Sequence, residues 1–428
     1  MPRPPPHPTA ESIDLTRYET LFKHFHANPE LSNAEIKTSA KCISHLTSLG
    51  AFTLHTHIGG HGLAGVFANG PGKTIMLRAD MDALPILETT NLPYASKVTA
   101  PGADGVETPV MHACGHDMHM TCLLAASEVL VKAKDIWSGT LIVLFQPAEE
   151  RGSGAQAMVD DGLYDKIPVP DFVLGQHLMS TLRAGSVGMR SGTIMAGADS
   201  LRITLFGKGG HGSQPSRTVD PAVLAAHVVV RLQGLVSREV GYNDVAVLTV
   251  GSVRVGRTEN VIADEAVLGV DFRSTREGVR EVLMRGVERI VKAECSASGC
   301  VREPLIERTR FLPTTVNDEN MSSRLKGAFV RFFGEENFDG EIPVTTIAED
   351  FSVLATSRGV PCVFWHWGGV DPEVWDRKAE EGKLEDIPMN HSAGFQVIVQ
   401  PTLRTGVDAL VVAALEFFGG GERVDAKL

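Results

Sequence analysis

Three things this chain has little of narrow its reading first. Basic residues are outnumbered, with 40 Lys and Arg against 52 Asp and Glu, giving a net charge of −12 with His neutral. A nucleic-acid surface needs a basic patch or stripe, so that class is set aside, although an acidic protein can still hold a small basic pocket. No run of about 18 apolar residues occurs, so no spanning helix and no membrane partner are expected. The apolar stretch from Val228 to Leu235 is short and broken by Arg231. Cysteines number six (Cys42, Cys114, Cys122, Cys295, Cys300 and Cys362), spread along 428 residues. With no export signal beside them they read as reduced cytoplasmic thiols, mostly buried as small hydrophobes. Like-charge blocks and internal repeats are also missing, which argues against an interaction tail and a solenoid. The opening MPRPPPHPTAES is Pro-rich and lacks the apolar core of a signal peptide. It reads as a disordered lead-in over residues 1–12.

The remaining composition is that of a globular protein: 43% hydrophobic and 21% charged residues, with 43 glycines gathered in short segments. The length exceeds one ordinary core, so two domains of roughly 150–250 residues each are expected. Apolar spacing predicts helices over Ile13–His26, Ser32–Leu49 and His119–Ala133, the second with Ser32 and Glu35 as a capping box and Gly50 as its stop. Short apolar runs at Thr140–Gln146, Phe172–His177 and Val360–Trp365 predict strands buried on both faces. Alternating strands and helices imply an α/β domain built on a mostly parallel sheet. After about Ala196 the pattern changes to one of sheet strands with one open face, with helices over Asp220–Leu235 and Arg276–Ala293. The expected division is therefore 1–194 and 305–428 for a catalytic domain, with 195–304 as an inserted α+β domain.

The densest chemistry lies in His112-Ala113-Cys114-Gly115-His116-Asp117-Met118-His119, where a thiol, three imidazoles and a carboxylate fall within eight residues. In an extended turn Cys114 and His116 project to one side and can share an ion, and thiolate with imidazole suits zinc and related metals. Asp117 is placed to orient a ligand. Glu149 and Glu150 follow the buried strand TLIVLFQ, at the strand end where α/β proteins place ligands. Adjacent carboxylates repel unless a cation or proton lies between them, and one can ligate a metal while the other moves a proton. His177 and His391, taken singly, are ordinary structural histidines. The loop GKGGHGSQP, from Gly207, lacks both Walker and dinucleotide spacing, which excludes nucleotide binding. Asn260 and Arg273 sit in or beside strands, where polar residues are commonly edge or surface positions. The segment Trp365–Lys383 is aromatic and acidic, open to being an acyl pocket or a surface loop.

In order, HANPELS from His26, RADMDALP from Arg78, HACGHDMH, FQPAEE, GQH, GKGGHGSQP, TENVI, DFRS, AEDF and NHS resemble the metallo-aminoacylase and carboxypeptidase family of amidohydrolases. Within it they are most similar to the branch of hippurate hydrolases, N-acyl amino acid amidohydrolases and auxin-conjugate hydrolases. The resemblance runs from about His26 to the C-terminal helix. It implies two divalent metal ions, zinc first with manganese or cobalt admitted, held by Cys114, His116, Glu150, His177 and His391. It makes Glu149 the general base and later acid, and puts Asp80 where the family carries an orienting Asp. Arg78 stands where other branches use a ligand His. The resemblance also implies substrate binding by His211, Asn260 and Arg273, oxyanion stabilisation by His211, and Glu349 and Asp350 lining the site. The inserted domain would serve as lid and dimerisation domain of a homodimer. The expected activity is metal-dependent hydrolysis of the amide bond of an N-acyl amino acid or dipeptide. Its rivals are the same site run toward amide formation, and a non-catalytic binding protein on this scaffold.

Overall fold

The computed structural model describes residues 8–102 and 105–419. Most of the expected disordered lead-in lies outside the described residues. Its last part is ordered: Ala10 is fully buried, and its N–H donates to Asp408 Oδ1 at 2.7 Å. The Pro-rich composition hid an apolar contact at its end.

The chain divides into two compact units. Among the described residues, the first comprises those up to 194, 316–343 and those from 350 on, the second 195–315 and 344–349. The first is built on an eight-stranded sheet. Its centre is four mutually parallel strands, in the order Gly139–Gln146, Thr74–Asp80, Phe172–Arg183 and Cys362–Val370. Every residue of Cys362–Val370 is buried, as a strand covered on both faces requires. Helices His116–Lys132 and Thr402–Phe418 pack on each other and on this sheet. Both are buried almost all round, so neither shows the one-sided apolar stripe of a surface helix. The helix after Ser32 begins only at Ile36. The expected capping box does not form, because the Ser32 hydroxyl donates to Asp82 and Glu35 accepts from the Asn33 and Ala148 N–H groups instead. Gly50 ends the helix in the left-handed conformation, at φ 66°.

Trp365 and Trp367 are fully buried in the strand Cys362–Val370, their indole N–H groups donating to Gln176 Oε1 and the Thr402 carbonyl. They are core residues and not walls of an acyl pocket. The next element along the chain is a surface helix, Pro372–Glu380, with no buried residue.

The second unit holds a four-stranded antiparallel sheet, in the order Ala246–Val255, Glu265–Ser274, Gly197–Phe206 and Leu305–Leu312. Helices Pro221–Glu239 and Glu277–Ala297 pack on each other and share an apolar core with the sheet. Gly286 allows their close approach, since a Cβ there would come within 2.3 Å of Leu235 Cδ2. The return to the first unit falls after residue 315 and not after residue 304. Leu305–Leu312 is the strand that completes this sheet beside Gly197–Phe206, and its mixed polar sequence, LIERTRFL, held no apolar run to reveal it.

Candidate metal centre

Two of the parallel strands end at the site, in Asp80 and Gln146, while His177 lies midway along a third. Asp80 and Gln146 are register partners, so the ends of Thr74–Asp80 and Gly139–Gln146 lie level. On the next pair His177 is the register partner of His366. The fourth contribution is the start of the helix His116–Lys132. There Gly115 takes φ 89°, and a Cβ on it would sit 3.0 Å from Leu178 Cδ2, so glycine is required for the chain to turn from Cys114 into the helix.

Beyond Gln146 the chain bends through Ala148, a non-glycine residue at φ 49°. A β-carbon is disfavoured in that conformation, so the surroundings must hold it. Glu35 accepts from the Ala148 N–H at 2.8 Å. Asp82 accepts from the Glu149 and Glu150 N–H groups, each at 3.1 Å, and from the Ser32 hydroxyl at 2.6 Å. One buried carboxylate thus orients the peptide groups of both glutamates.

Five donors distant in sequence converge. The donor atoms of Cys114, His116 and His177 lie within 4.8 Å of one another, as do those of Cys114, Glu150 and His391, so Cys114 is common to both groups. Its Sγ is 3.4 Å from His177 Nε2 and 3.2 Å from His391 Nε2. His391 Nε2 is also 3.2 Å from Glu150 Oε1. His116 Nε2 lies 3.7 Å from Asp80 and 3.9 Å from each of Glu149 and Glu150, and its Nδ1 lies 3.5 Å from Asp82. Cys114, His116 and His177 are buried, whereas the His391 side chain is about half exposed at 52%.

Hydrogen bonds fix which nitrogens are available. His177 Nδ1 donates to the Leu178 carbonyl at 2.8 Å, which leaves the Nε2 lone pair turned to Cys114. The Leu178 N–H donates to His119 Nε2 at 3.0 Å, so His119 carries its proton on Nδ1 and gives it to Asp80 Oδ1 at 2.6 Å. Both nitrogens of His119 are therefore committed. Asp80 accepts from Arg78 Nη1 through its other oxygen, at 2.7 Å, and Arg78 Nε donates to Gln146 Oε1 at 2.9 Å. Asp80 is spoken for on both oxygens and orients His119 and Arg78.

The electrostatics ask for positive charge. Burial alone would depress His116, yet Asp80, Asp82 and Glu150 raise it to about 10. Burial, then Glu150, Glu149 and Asp80, push the Cys114 thiol well above its usual range, so a thiolate there needs a cation beside it. Burial and then His119 hold His177 neutral, well below its ordinary value. Both nitrogens of His116 and Oε1 of Glu150 are buried without a hydrogen-bond partner. Such orphaned polar atoms are uncommon and need an explanation. A thiol, three imidazoles and carboxylates clustered around them fit a pair of divalent cations.

The remaining expected residues each have their own surroundings. Asp117 orients none of the donors; its Oδ2 pairs with His26 Nδ1 at 2.7 Å, because the helix turns its side chain toward the helix Leu15–Ala27. His112, the third imidazole of the motif, is buried with neither nitrogen hydrogen-bonded. Asp350 lines the centre as expected, with a carboxylate oxygen within 4.8 Å of one of Glu149, and it also braces the strand end by accepting from Gln146 Nε2 at 2.5 Å and from the Ala155 N–H at 3.0 Å. Glu349 is buried in the second unit. In that unit His211 and Asn260 are exposed neighbours, with His211 opposite Val261 and the Gly212 N–H donating to the Asn260 carbonyl. Arg273 does not join them: it pairs with Asp271 at 3.3 Å and donates to the Thr346 carbonyl at 2.9 Å. Sequence reasoning assigned no role to Asp82, His119 or Asn390. The signals were in view, as the second Asp of Asp80-Met81-Asp82, a His one turn into the helix, and the Asn before His391.

A parallel α/β sheet with a thiol, imidazoles and paired glutamates gathered beside its strands is the layout of a hydrolase built to hold metal. Residues 76–395 match Peptidase family M20/M25/M40, and the chain belongs to that family of peptidases and amidohydrolases. It is 36% identical over 350 residues to a hippurate hydrolase from Campylobacter jejuni, covering 81% of this chain and 88% of that one. It is also 36% identical over 404 residues to thermostable carboxypeptidase 2 from Saccharolobus solfataricus, covering 93% and 94%. The crystal structure of the Bacillus subtilis YXEP protein, a dinuclear metal binding peptidase from the M20 family, shares the fold with a TM-score of 0.74 at 24% identity, over 94% of this chain and 98% of that one. Among the described residues no helix is long and apolar enough to cross a membrane.

Proposed function

We propose that this enzyme hydrolyses the amide bond of an N-acyl amino acid or small peptide and releases a free amino acid. The observation that carries the reading is the convergence of Cys114, His116, Glu150, His177 and His391, with the orphaned atoms of His116 and Glu150 at its centre and Glu149 beside them. Those five residues would hold two divalent cations, zinc by preference for the thiolate and manganese or cobalt also compatible with the carboxylate. When bound, the ions acidify water toward neutrality and polarise the amide carbonyl.

Glu149 takes the proton of the water that attacks the amide carbon. It then gives that proton to the leaving nitrogen as the C–N bond breaks. The Asp82 carboxylate keeps Glu149 and Glu150 in place during this exchange by holding their peptide N–H groups. His211 is assigned to the oxyanion. Its Nδ1 accepts from the Ser213 N–H at 3.1 Å, so its proton sits on Nε2, ready to be donated. Asn260 and Arg273 are assigned to substrate binding on the family resemblance. Pairing of two copies is assigned to the second unit, where Val223 and Val230 are exposed on one helix and Val247 and Val253 on an edge strand.

The test joins metal analysis to a panel of N-acyl amino acids that includes aromatic acyl groups. Glu149→Gln is expected to lower kcat on the best substrate by about 10²–10⁴-fold while the bound metal stays at two ions per chain. A Glu149→Gln enzyme with parental kcat would sink the assignment and favour a non-catalytic scaffold.

A further inference from the structure

We propose that Asn390 is a positioning residue that assembles the metal centre by gripping the backbone beside three of its donors. The inference rests on the proposed metal-dependent amide hydrolysis and deepens it. Asn390 precedes His391, the one donor that is half exposed and that sits at φ 67°, a conformation unfavourable for any residue with a β-carbon. Left to its own loop, that imidazole has little to hold its direction. The Asn390 side chain supplies the missing tie. Its Nδ2 donates to the Cys114 carbonyl at 3.3 Å and to the Leu178 carbonyl at 3.0 Å, and its Oδ1 accepts from the Ser180 N–H at 3.2 Å. The His391 N–H donates to the Ala113 carbonyl at 2.8 Å, so the loop is fastened to the Cys114 segment from both residues.

The Leu178 peptide carries this grip further. Its carbonyl accepts from both Asn390 and His177 Nδ1, and its N–H donates to His119, which in turn donates to Asp80. A single side-chain amide therefore links the segments of Cys114, His177 and His391 and touches the peptide that sets the tautomers of His177 and His119. Both Nδ2 hydrogens and Oδ1 are used, so no replacement of the same size reproduces the set. Aspartate keeps the acceptor but turns a carboxylate oxygen toward two carbonyls, and serine is too short.

The experiment titrates Zn²⁺ into the metal-free full chain, parent and Asn390→Asp and Asn390→Ser variants, by calorimetry. Alongside it, kcat and KM are measured at limiting and at excess Zn²⁺, and melting of the metal-free proteins is recorded. The expected result is about 10–100-fold weaker binding of one of the two ions. It is accompanied by a kcat that falls by a similar factor at limiting Zn²⁺ and recovers at excess, with KM unchanged. A merely structural Asn390 would lower the melting temperature of the metal-free protein and leave the Zn²⁺ isotherm alone. That outcome, or two variants indistinguishable from the parent, overturns the proposal. A parent chain that takes up no Zn²⁺ fails the functional reading instead, and that failure is read before any variant is made.

Discussion

The two units carry their candidate residues in opposite physical settings. In the first, Cys114, His116 and His177 are buried among carboxylates, and each neighbour narrows what a donor atom can do. In the second, His211 and Asn260 are exposed, and Arg273 is tied to Asp271 and the Thr346 carbonyl. A buried polar cluster has to account for every proton and charge, because an unpartnered group in low dielectric is expensive. An exposed residue answers to water and leaves few marks of its role. The first unit's residues can thus be argued from their own geometry, and the second unit's mostly from the motifs around them.

The largest effect that tests this contrast is on the exposed side. His211→Ala is expected to lower kcat by about 10²–10³-fold, the range for loss of one oxyanion donor, with both bound ions retained. Loss of metal in that variant, or full activity, would put His211 outside the proposed role. A smaller effect is expected from the buried side. Asp82→Ala removes the acceptor shared by the Glu149 and Glu150 N–H groups. It should weaken metal binding or kcat by about 10–100-fold, read by calorimetry and steady-state kinetics. An Asp82→Ala enzyme with parental metal affinity and kcat would show that burial around the glutamates is packing alone.

Legibility in the sequence followed the same divide. The strand Gly139–Gln146 and the first half of Phe172–Arg183 announced themselves because burial on both faces favours apolar runs. The Cys114–His116 pair and the two glutamates were visible as dense local motifs. His177 and His391 were not visible from spacing, since a lone imidazole at a strand end or in a loop is chemically ordinary until a fold brings partners to it; the family resemblance alone pointed to them. The strand Leu305–Leu312 was missed because an edge strand with one open face needs no apolar run. Asp117 was misread for a related reason. Its position next to His116 suggested a shared task, but successive residues on a helix point about 100° apart, and its carboxylate faces His26 instead.

That misreading leads to the smallest predicted effect, which separates a buried charge that supports the fold from those that serve the metal centre. His26 is nearly buried, with Nδ1 2.7 Å from Asp117 and Nε2 3.1 Å from Glu88; Tyr94 packs edge-on to it, and His112 is the other imidazole beside Asp117. Burial by itself would lower its pKa, but hydrogen bonds to Asp117 and Glu88 raise it to about 10 from 6.5. A group whose folded pKa is raised stabilises the fold fully below its unfolded value, and that contribution fades as pH climbs to the folded one. The stability gap between parent and His26→Gln, measured by denaturant unfolding of the metal-free chains, should therefore be widest below about pH 6.5 and narrow steadily toward pH 10. A gap that stayed constant from pH 6 to 10 would mean that His26 sits neutral between its two carboxylates and contributes only as a packed ring.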